Sequence, residues 1–225
     1  MFFLPYDILV MMPLTFLSGL DSFPLIAIPL FVLAGQLMSR GGLTRRIIDL
    51  AMVFVGRIFG GLVLMVISST LLLSGISGSH SANTATIGSV AIPAMMRMKY
   101  PRAFATALLA TAGGGSTLIP PSIDLIIVGV IANISIGGLF ATGVFTAIVN
   151  GLGMMGLTYY FARKMRLPLA ERIPWRQKLK TMKNGSLAIL TMAVIIGGIY
   201  AGIFTTMEAA SVAVVYGLIT SYFII

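Results

Sequence analysis

The sequence has no cysteine and little charge, with only six acidic residues among 225. The lack of cysteine excludes disulfide bonds and thiolate metal sites within it. Charged residues of both signs make up 9%, against about 25% in soluble globular domains. Because 58% of the residues are hydrophobic and the mean hydropathy is +1.03, the composition predicts an integral membrane protein. The apolar runs are long and continuous, which predicts an all-α, multi-span helical bundle.

The usual marks of an enzyme are missing as well. The sequence contains no nucleophile–base pair, no cluster of metal-binding side chains and no nucleotide-binding loop. The glycines at 113–115 are not followed by the Lys-Ser or Lys-Thr of a phosphate-binding loop. We therefore expect neither an enzyme nor an ATP-driven pump.

The net charge of +9 comes from basic residues that are clustered in the sequence. All 15 lysines and arginines occur in three groups, which one topology places on a single membrane face. Basic residues beside membrane segments usually stay on the cytoplasmic side. We therefore attribute the charge to topology and expect no nucleic-acid partner. The groups are Arg40, Arg45, Arg46 and Arg57; Arg97, Lys99 and Arg102; and Arg163, Lys164, Arg166, Arg172, Arg176, Lys178, Lys180 and Lys183.

Residues 58–97 predict a re-entrant helical hairpin. Between Arg57 and Arg97 no side chain is charged, apart from the titratable His80. A helix needs about 20 apolar residues to cross a bilayer. Each arm here is shorter, because glycine and small polar residues dominate 74–86. Two short arms, a polar middle and basic ends on one side are typical of a segment that enters the membrane and turns back.

The next helix, 102–133, is predicted to be broken at 113–122. Three glycines and the pair Pro120-Pro121 fall in this stretch. Glycine loosens a helix and proline removes a backbone donor, so the helix should unwind here. The freed carbonyls and neighbouring hydroxyls can coordinate a hard cation. Broken helices that meet a polar hairpin are how secondary transporters build sites for substrate and for Na⁺ or H⁺.

The hairpin tip, residues 74–84, has groups for both a cation and an anion. The first arm is expected to end near Ser74 and to offer carbonyl oxygens. The second is expected to begin near 81–84 and to offer N–H groups at the positive end of a helix dipole. The tip can therefore hold Na⁺ and an organic anion side by side. The alternative is a tight helix–helix contact built from small residues.

Three ionisable residues are candidates for special roles. His80 is expected to form a hydrogen bond or a substrate contact, with proton coupling as the alternative. Asp124 is either a functional acid at membrane depth or the cap of the second half-helix. Glu208 follows a Thr-Thr turn and is expected to cap a helix N-terminus or to interact with its dipole.

Residues 1–57 are predicted to be scaffold. They comprise two membrane segments, 1–20 and 23–39, and an amphipathic stretch, 43–57. Arginines interrupt this last stretch, which is typical of an interfacial arm helix in the membrane plane, with a helix packed inside the protein as the alternative.

Residues 139–225 are predicted to be further scaffold helices. The basic segment 163–184 is expected to be a cytoplasmic loop, with Trp175 as an interfacial anchor. The chain ends inside an apolar segment, so we expect it to be truncated at the C-terminus and unable to transport alone.

Short motifs spread over nearly the whole chain from residue 18 carry a family resemblance. They are 21–35, 40–44, 74–79, 85–89, 92–95, 119–122, 135–137, 198–204 and 208–210. In combination they resemble the large membrane subunit of tripartite ATP-independent periplasmic (TRAP) transporters, of the wider ion transporter superfamily.

The resemblance implies half of an elevator-type Na⁺ symporter in the bacterial inner membrane, with 58–133 as its moving transport element. The implied substrates are organic acids such as C4-dicarboxylates, sialic acid or other sugar acids. The implied partners are a periplasmic solute-binding protein, a small four-helix membrane subunit and the lipid bilayer. Na⁺ is the implied coupling ion, with no organic cofactor.

By position, two sets of residues fall at the family's first hairpin tip and unwound helix. The candidate substrate-binding residues are Ser79, His80, Ser81, Asn83, Thr84, Pro121 and Ser122. The candidate Na⁺ ligands are Ser77, Gly78, Ser79, Asn83, Gly114, Gly115, Ser116 and Thr117. No catalytic residue is expected.

The sequence departs from the family pattern at three places. Residues 79–84 read Ser-His-Ser-Ala-Asn-Thr, where the family has something nearer Ser-x-x-Ala-Asp-Ala. Asp124 stands where an apolar residue or proline is common, and 204–208 reads Phe-Thr-Thr-Met-Glu rather than Phe-Thr-Pro-Thr-Glu. The first two departures leave the substrate open. The alternatives are an Na⁺/anion symporter without a binding protein and a non-transporting membrane scaffold subunit.

Overall fold

The computed structural model describes residues 11, 13, 14, 22–55, 60–164 and 175–224. This part of the chain is helical and contains no strand, as the composition predicts. Most of the predicted segment 1–20, Arg57 and residues 165–174 of the basic loop lie outside the described residues, as does the Trp175 side chain. The α-helices are α1 (Ala27–Arg40), α2 (Leu43–Val55), α3 (Gly61–Ser77), α4 (His80–Arg97), α5 (Arg102–Gly115), α6 (Ile123–Ile131), α7 (Ile136–Lys164), α8 (Trp175–Tyr200) and α9 (Thr206–Ile224), with 3₁₀ turns at Phe23–Ile26 and Ser116–Leu118.

Helices α3 and α4 are the two arms of the predicted hairpin, and they pack against each other. The first arm ends because Gly78 adopts φ +62°, a left-handed conformation that glycine tolerates. The Gly78 N–H donates to the Ser74 carbonyl over 3.1 Å. At 17 residues, α3 is about 25 Å long, which is shorter than a hydrocarbon core of about 30 Å.

The irregular tip is shorter than the sequence predicts. The expectation that the first arm ends near Ser74 is wrong, because α3 continues to Ser77. The second arm begins at His80, one residue before the predicted 81–84, so only Gly78 and Ser79 separate the two helices. The helix tolerates the small polar residues because their hydroxyls bond within it. The Thr84 hydroxyl, for example, donates to the His80 carbonyl over 2.7 Å.

The predicted broken helix is present as α5 and α6, whose axes differ by 46°. The break proper is the stretch 119–122, called the proline break below, and it contains the cis peptide Pro120–Pro121. The prediction that unwinding starts at Gly113 is wrong. Helix α5 continues through Gly115, and the 3₁₀ turn carries the chain to Leu118.

The first hairpin arm forms the centre of the described bundle. Helix α3 is predominantly apolar with no distinct polar face and buries nearly its whole length, as expected of a helix surrounded by protein. It contacts α1, α2, α4, α5, α7 and α8. The hairpin therefore lies in the core and is held from several directions.

Two further helix pairs surround this core. Helices α1 and α9 pack together, and the Ser221 hydroxyl donates to the Leu37 carbonyl over 2.8 Å. Helix α2 buries Leu43, Ile47 and Leu50 against α3 and α8, while Arg45 is exposed. The amphipathic pattern of α2 is thus confirmed, and its position at the membrane surface stays a prediction.

Among the described residues, three helical segments are long and apolar enough to span a bilayer: Phe23–Arg40, Ile136–Lys164 and Thr181–Tyr200. The bent pair Arg102–Leu118 and Ile123–Ile131 makes a fourth if it counts as one span. These lengths support a multi-span helical bundle, while the re-entrant course of the hairpin stays a prediction.

Candidate functional site at the hairpin tip

The hairpin tip lies directly against the end of α5. The Ser74 hydroxyl donates to the Ser116 carbonyl over 2.8 Å, and both residues are fully buried. Ser74 Oγ also lies 2.9 Å from His80 Nδ1. The two elements that the sequence singled out separately therefore share one polar cluster.

His80 connects this cluster to the proline break. Its Nε2 lies 3.3 Å from Asp124 Oδ2 and 3.5 Å from the Ser122 hydroxyl. No aspartate or glutamate lies near His80 in the sequence, and the fold brings the Asp124 carboxylate beside it. Asp124 is the second residue of α6, whose N-cap position is Ser122, so it lies in the first turn and is not the cap. It is also the partner of the histidine, and its role as a functional acid stays a prediction.

Asn83 holds the other side of the tip. Its side-chain carbonyl accepts a 2.7 Å hydrogen bond from the Ser77 hydroxyl. Its amide nitrogen is buried and has no partner among the described residues, although buried polar groups are nearly always paired. Asn83 lines a small cavity of about 120 Å³, with mixed polar and apolar walls, together with Gln36 and Ser39 of α1. The fold therefore leaves one buried donor beside this cavity without an acceptor among the described residues.

A second cleft, of about 590 Å³, separates α4 from α5. Ser81 and Thr84 line one wall, and Gly113 and Gly114 line the other. A Cβ on Gly113 would collide with the Thr84 side chain, so the glycine permits close approach of the helices. Gly113 therefore serves helix packing and does not unwind α5.

Three hydroxyl groups at the site already act as donors in hydrogen bonds within the protein. Ser77 donates to Asn83, Ser116 to the Gly113 carbonyl and Thr117 to the Gly114 carbonyl, over 2.7, 2.7 and 2.8 Å. A hydroxyl with its proton so engaged keeps only lone pairs to offer. Neutral oxygens of this kind suit a hard monovalent cation.

The remaining candidates are less closely connected. Gly78 faces the Pro121 carbonyl, since a Cβ there would lie 3.2 Å from that oxygen. Ser79 donates its N–H to the Ser77 hydroxyl over 3.3 Å. The Gly115 carbonyl accepts a 3.5 Å hydrogen bond from the side chain of Asn150.

Sequence reasoning did not include Ser74, Gln36 or Asn150 among the site residues. A usable signal existed for Asn150, because it is a carboxamide within an uncharged apolar segment. Ser74 lay in the predicted tip, but its bond to Ser116 depends on how α3 and α5 pack.

Glu208 lies apart from this cluster and caps α9, as predicted. Its carboxylate accepts hydrogen bonds from the Thr205 N–H and hydroxyl, both 2.8 Å. The Glu208 N–H lies 3.3 Å from the Thr205 hydroxyl, which completes a capping box. The backbone and hydroxyl donors of Thr205 hold the pKa of the Glu208 carboxyl below its usual value, because they bind its charged form.

The helical fold, the apolar composition and the spanning segments define a multi-pass integral membrane protein. A polar cluster where a hairpin meets a broken helix is its most distinctive feature. The chain belongs to the family described as "Tripartite ATP-independent periplasmic transporter, DctM component", whose family model matches residues 1–224. The resemblance drawn from the sequence motifs is thereby confirmed.

Individual relatives agree with this membership. The chain is 39% identical over 204 residues to the C4-dicarboxylate TRAP transporter large permease protein DctM of Pseudomonas aeruginosa. The aligned region covers 91% of this chain and 48% of that protein. It is 41% identical over 205 residues to the sialic acid TRAP transporter large permease protein SiaM of Vibrio cholerae, with 90% and 47% covered. It is 37% identical over 218 residues to the 2,3-diketo-L-gulonate TRAP transporter large permease protein YiaN of Escherichia coli, with 97% and 51% covered. The chain spans about half the length of these relatives.

Proposed function

We propose that this chain is part of the permease of a binding-protein-dependent secondary transporter that imports organic acids, coupled to Na⁺, across the bacterial inner membrane. Family membership supports the transporter class. The relatives are named for C4-dicarboxylates, sialic acid and 2,3-diketo-L-gulonate, all of them organic acids. They are named as permeases, which supports a role other than that of an enzyme.

The observation that carries the proposal is the contact between hairpin tip and broken helix. Ser74 bonds to Ser116, and His80 reaches Ser122 and Asp124. Helix termini leave unpaired carbonyls at one end and unpaired N–H groups at the other. Both kinds of terminus occur here, with the end of α3 beside the start of α4.

The cation side of the site is formed by the end of α3 and the end of α5. Its ligands are oxygens from Ser77, Gly78, Ser79, Asn83, Gly114, Gly115, Ser116 and Thr117. The engaged hydroxyls of Ser77, Ser116 and Thr117 present lone pairs only. The negative ends of the two helix dipoles add to the attraction for a cation.

The substrate side is the N-terminus of α4 together with the proline break. Its residues are Ser79, His80, Ser81, Asn83, Thr84, Pro121 and Ser122. The first N–H groups of α4 and the unpartnered amide of Asn83 are donors that suit a carboxylate. The cleft beside Ser81 and Thr84 leaves room for the rest of the molecule.

Transport follows an elevator movement in which residues 58–133 carry the site across the membrane. Residues 1–57 and 139–225 are the scaffold and contact the small four-helix membrane subunit and the lipid. A periplasmic solute-binding protein delivers the acid. Gly35 of α1 lies close to Ser77 of the tip, since a Cβ added at Gly35 would lie 2.6 Å from Ser77 Cα. In this proposal the contact joins the scaffold to the transport element in one conformational state of the transporter.

The test is Na⁺-dependent uptake by the intact transporter in proteoliposomes, with and without its binding protein. Asn83→Ala is expected to abolish uptake while assembly stays normal. Ser89→Ala is the matched control, because Ser89 is exposed on the same helix and bonds only to the local Thr86 carbonyl.

Each alternative has its own outcome in this assay. Uptake that does not require the binding protein would favour an Na⁺/anion symporter without one. Unchanged uptake by Asn83→Ala would favour a scaffold subunit and contradict the proposal.

A further inference from the structure

The cleft between α4 and α5 is polar at one end only. It holds about 590 Å³ and begins beside the hairpin tip. Among the nine residues that line it, only Ser81 and Thr84 have polar side chains, and both lie in the first two turns of α4. The other seven are alanine, glycine, isoleucine or leucine. One continuous space therefore has a polar end at the tip and an apolar remainder.

The apolar part of the cleft is long and stays open. Ser81 and Ile92 both line it, and they lie about 16 Å apart along α4. The small side chains of Ala85 and Ala110 leave the space between the two helices free. Pockets that bind small molecules usually hold about 300–1,000 Å³, so the cleft has room for a whole organic acid.

The polar end offers a hydrogen-bond donor that no described residue uses. The Thr84 hydroxyl donates to the His80 carbonyl over 2.7 Å and so presents only lone pairs to the cleft. The Ser81 hydroxyl is exposed and makes no hydrogen bond within the part of the chain that the structure describes. Together with the unpaired N–H groups at the start of α4, it suits a carboxylate.

We propose that the transported acid is a monocarboxylate with an apolar alkyl or aryl body. Its carboxylate binds at Ser81, and its body lies between Ala85 and Ala110 and extends toward Ile92. Each methylene that leaves water against these walls strengthens binding. A hydroxyl or a second carboxylate there would lose water without gaining a partner, which weakens binding. This inference rests on the proposed function and narrows its substrate class.

The experiment compares three acids that have the same number of carbons, namely hexanoate, adipate and D-gluconate. Their binding to the intact permease in lipid nanodiscs is measured by calorimetry in Na⁺ buffer. Empty nanodiscs give the heat of partition into lipid. We expect hexanoate to bind about tenfold or more tightly than the other two acids. Butanoate should bind more weakly than hexanoate, by about fourfold for each methylene removed.

Variants of the cleft wall test where the apolar body lies. Ala110→Leu puts a larger side chain into the cleft, so the ratio of hexanoate to butanoate affinity should fall toward one. Ala103→Leu is the matched control, because Ala103 is exposed on the same helix and lines no part of this cleft. Ala85→Leu repeats the test from α4, and melting temperatures show whether each variant is folded. Ser81→Ala should weaken hexanoate and butanoate by the same factor.

The possible outcomes separate this inference from the proposed function. Equal or tighter binding of adipate or D-gluconate would overturn the inference alone, provided that Na⁺-dependent uptake of an organic acid persists. The same holds if hexanoate gives no more heat than with empty nanodiscs, or if folded Ala110→Leu and Ala85→Leu keep the full ratio. Absence of both binding and Na⁺-dependent uptake of any organic acid would overturn the proposed function, and the inference with it.

Discussion

The Ser74 hydroxyl and the Ser116 carbonyl, 42 residues apart in sequence, meet in a 2.8 Å hydrogen bond in the buried core. This bond joins the first hairpin arm to the end of the first half-helix. Serine is small enough to let two helices approach closely and still supplies a donor. The tip and the broken helix are therefore connected by a specific polar contact as well as by packing.

Removal of this bond should loosen the site. We expect Ser74→Ala to destabilise the protein by about 1 kcal/mol and to weaken Na⁺ binding, because Ser116 and His80 both lose a partner. Thermal unfolding and Na⁺ titration of the purified permease measure the two effects. Ser68→Ala is the control, since its hydroxyl bonds only to the local Leu64 carbonyl. Equal losses in both variants would contradict a special role for Ser74.

The glycines of α5 should differ sharply in their tolerance of a methyl group. Gly113→Ala is expected to lower the melting temperature and uptake, because the new Cβ would press on Thr84. A change of Thr84 rotamer relieves the clash only in part, since Thr84 Cβ would still lie 3.2 Å away and would have to shift by a few tenths of an ångström. Gly114→Ala meets nothing within 4 Å and should be neutral or gain about 0.5–1 kcal/mol.

Both variants of this pair need the same measurements, thermal unfolding and Na⁺-dependent uptake. If Gly113→Ala proved as stable and active as Gly114→Ala, α4 and α5 would not pack as closely as described.

The re-entrant course of the hairpin can be tested by cysteine labelling, for which a chain without cysteine is well suited. We expect Arg45→Cys and Arg97→Cys to react with a membrane-impermeant maleimide from the cytoplasmic side. Ala132→Cys, which follows α6, should react from the opposite side. All three positions are exposed or lie at helix ends. Labelling of Arg45→Cys and Arg97→Cys from different sides would mean that the hairpin crosses the membrane.

The capping box at the start of α9 predicts a pH dependence. Because the folded-state pKa of Glu208 lies below its usual 4.5, its contribution to stability is fully present above that pH. The contribution is lost as the pH falls through the folded-state pKa. Melting temperatures of the unaltered protein and of Glu208→Gln should differ at about pH 7, and the difference should shrink as the pH falls below the usual pKa of the carboxyl. A constant difference across this range would exclude the carboxylate as its cause.

Several features were predictable from particular residues. The polar residues at 74–86 and the Pro120-Pro121 pair located the hairpin and the break, because glycine and proline have strong local effects on helices. Thr205 and Glu208 have the spacing of a capping box, so the N-terminus of α9 was predictable as well. Such local patterns require no knowledge of the neighbouring helices.

Other features depended on neighbours that are distant in sequence. Gly113 was expected to unwind α5 and instead permits contact with Thr84. The tip was expected to be long, and the helices instead extend to Ser77 and from His80. In both cases helix packing and local hydroxyl bonds outweighed the weak helix propensity of small residues.

The sequence by itself determined that this is a helical membrane protein of the TRAP permease family, since run length, composition and motifs are local properties. Only the tertiary structure decided which polar groups share a site. His80 and Asp124 are far apart in the chain, and their 3.3 Å contact exists because close packing of α3, α4 and α5 brings the tip to the proline break. Contacts of this kind depend on three-dimensional packing, which no spacing along one segment encodes.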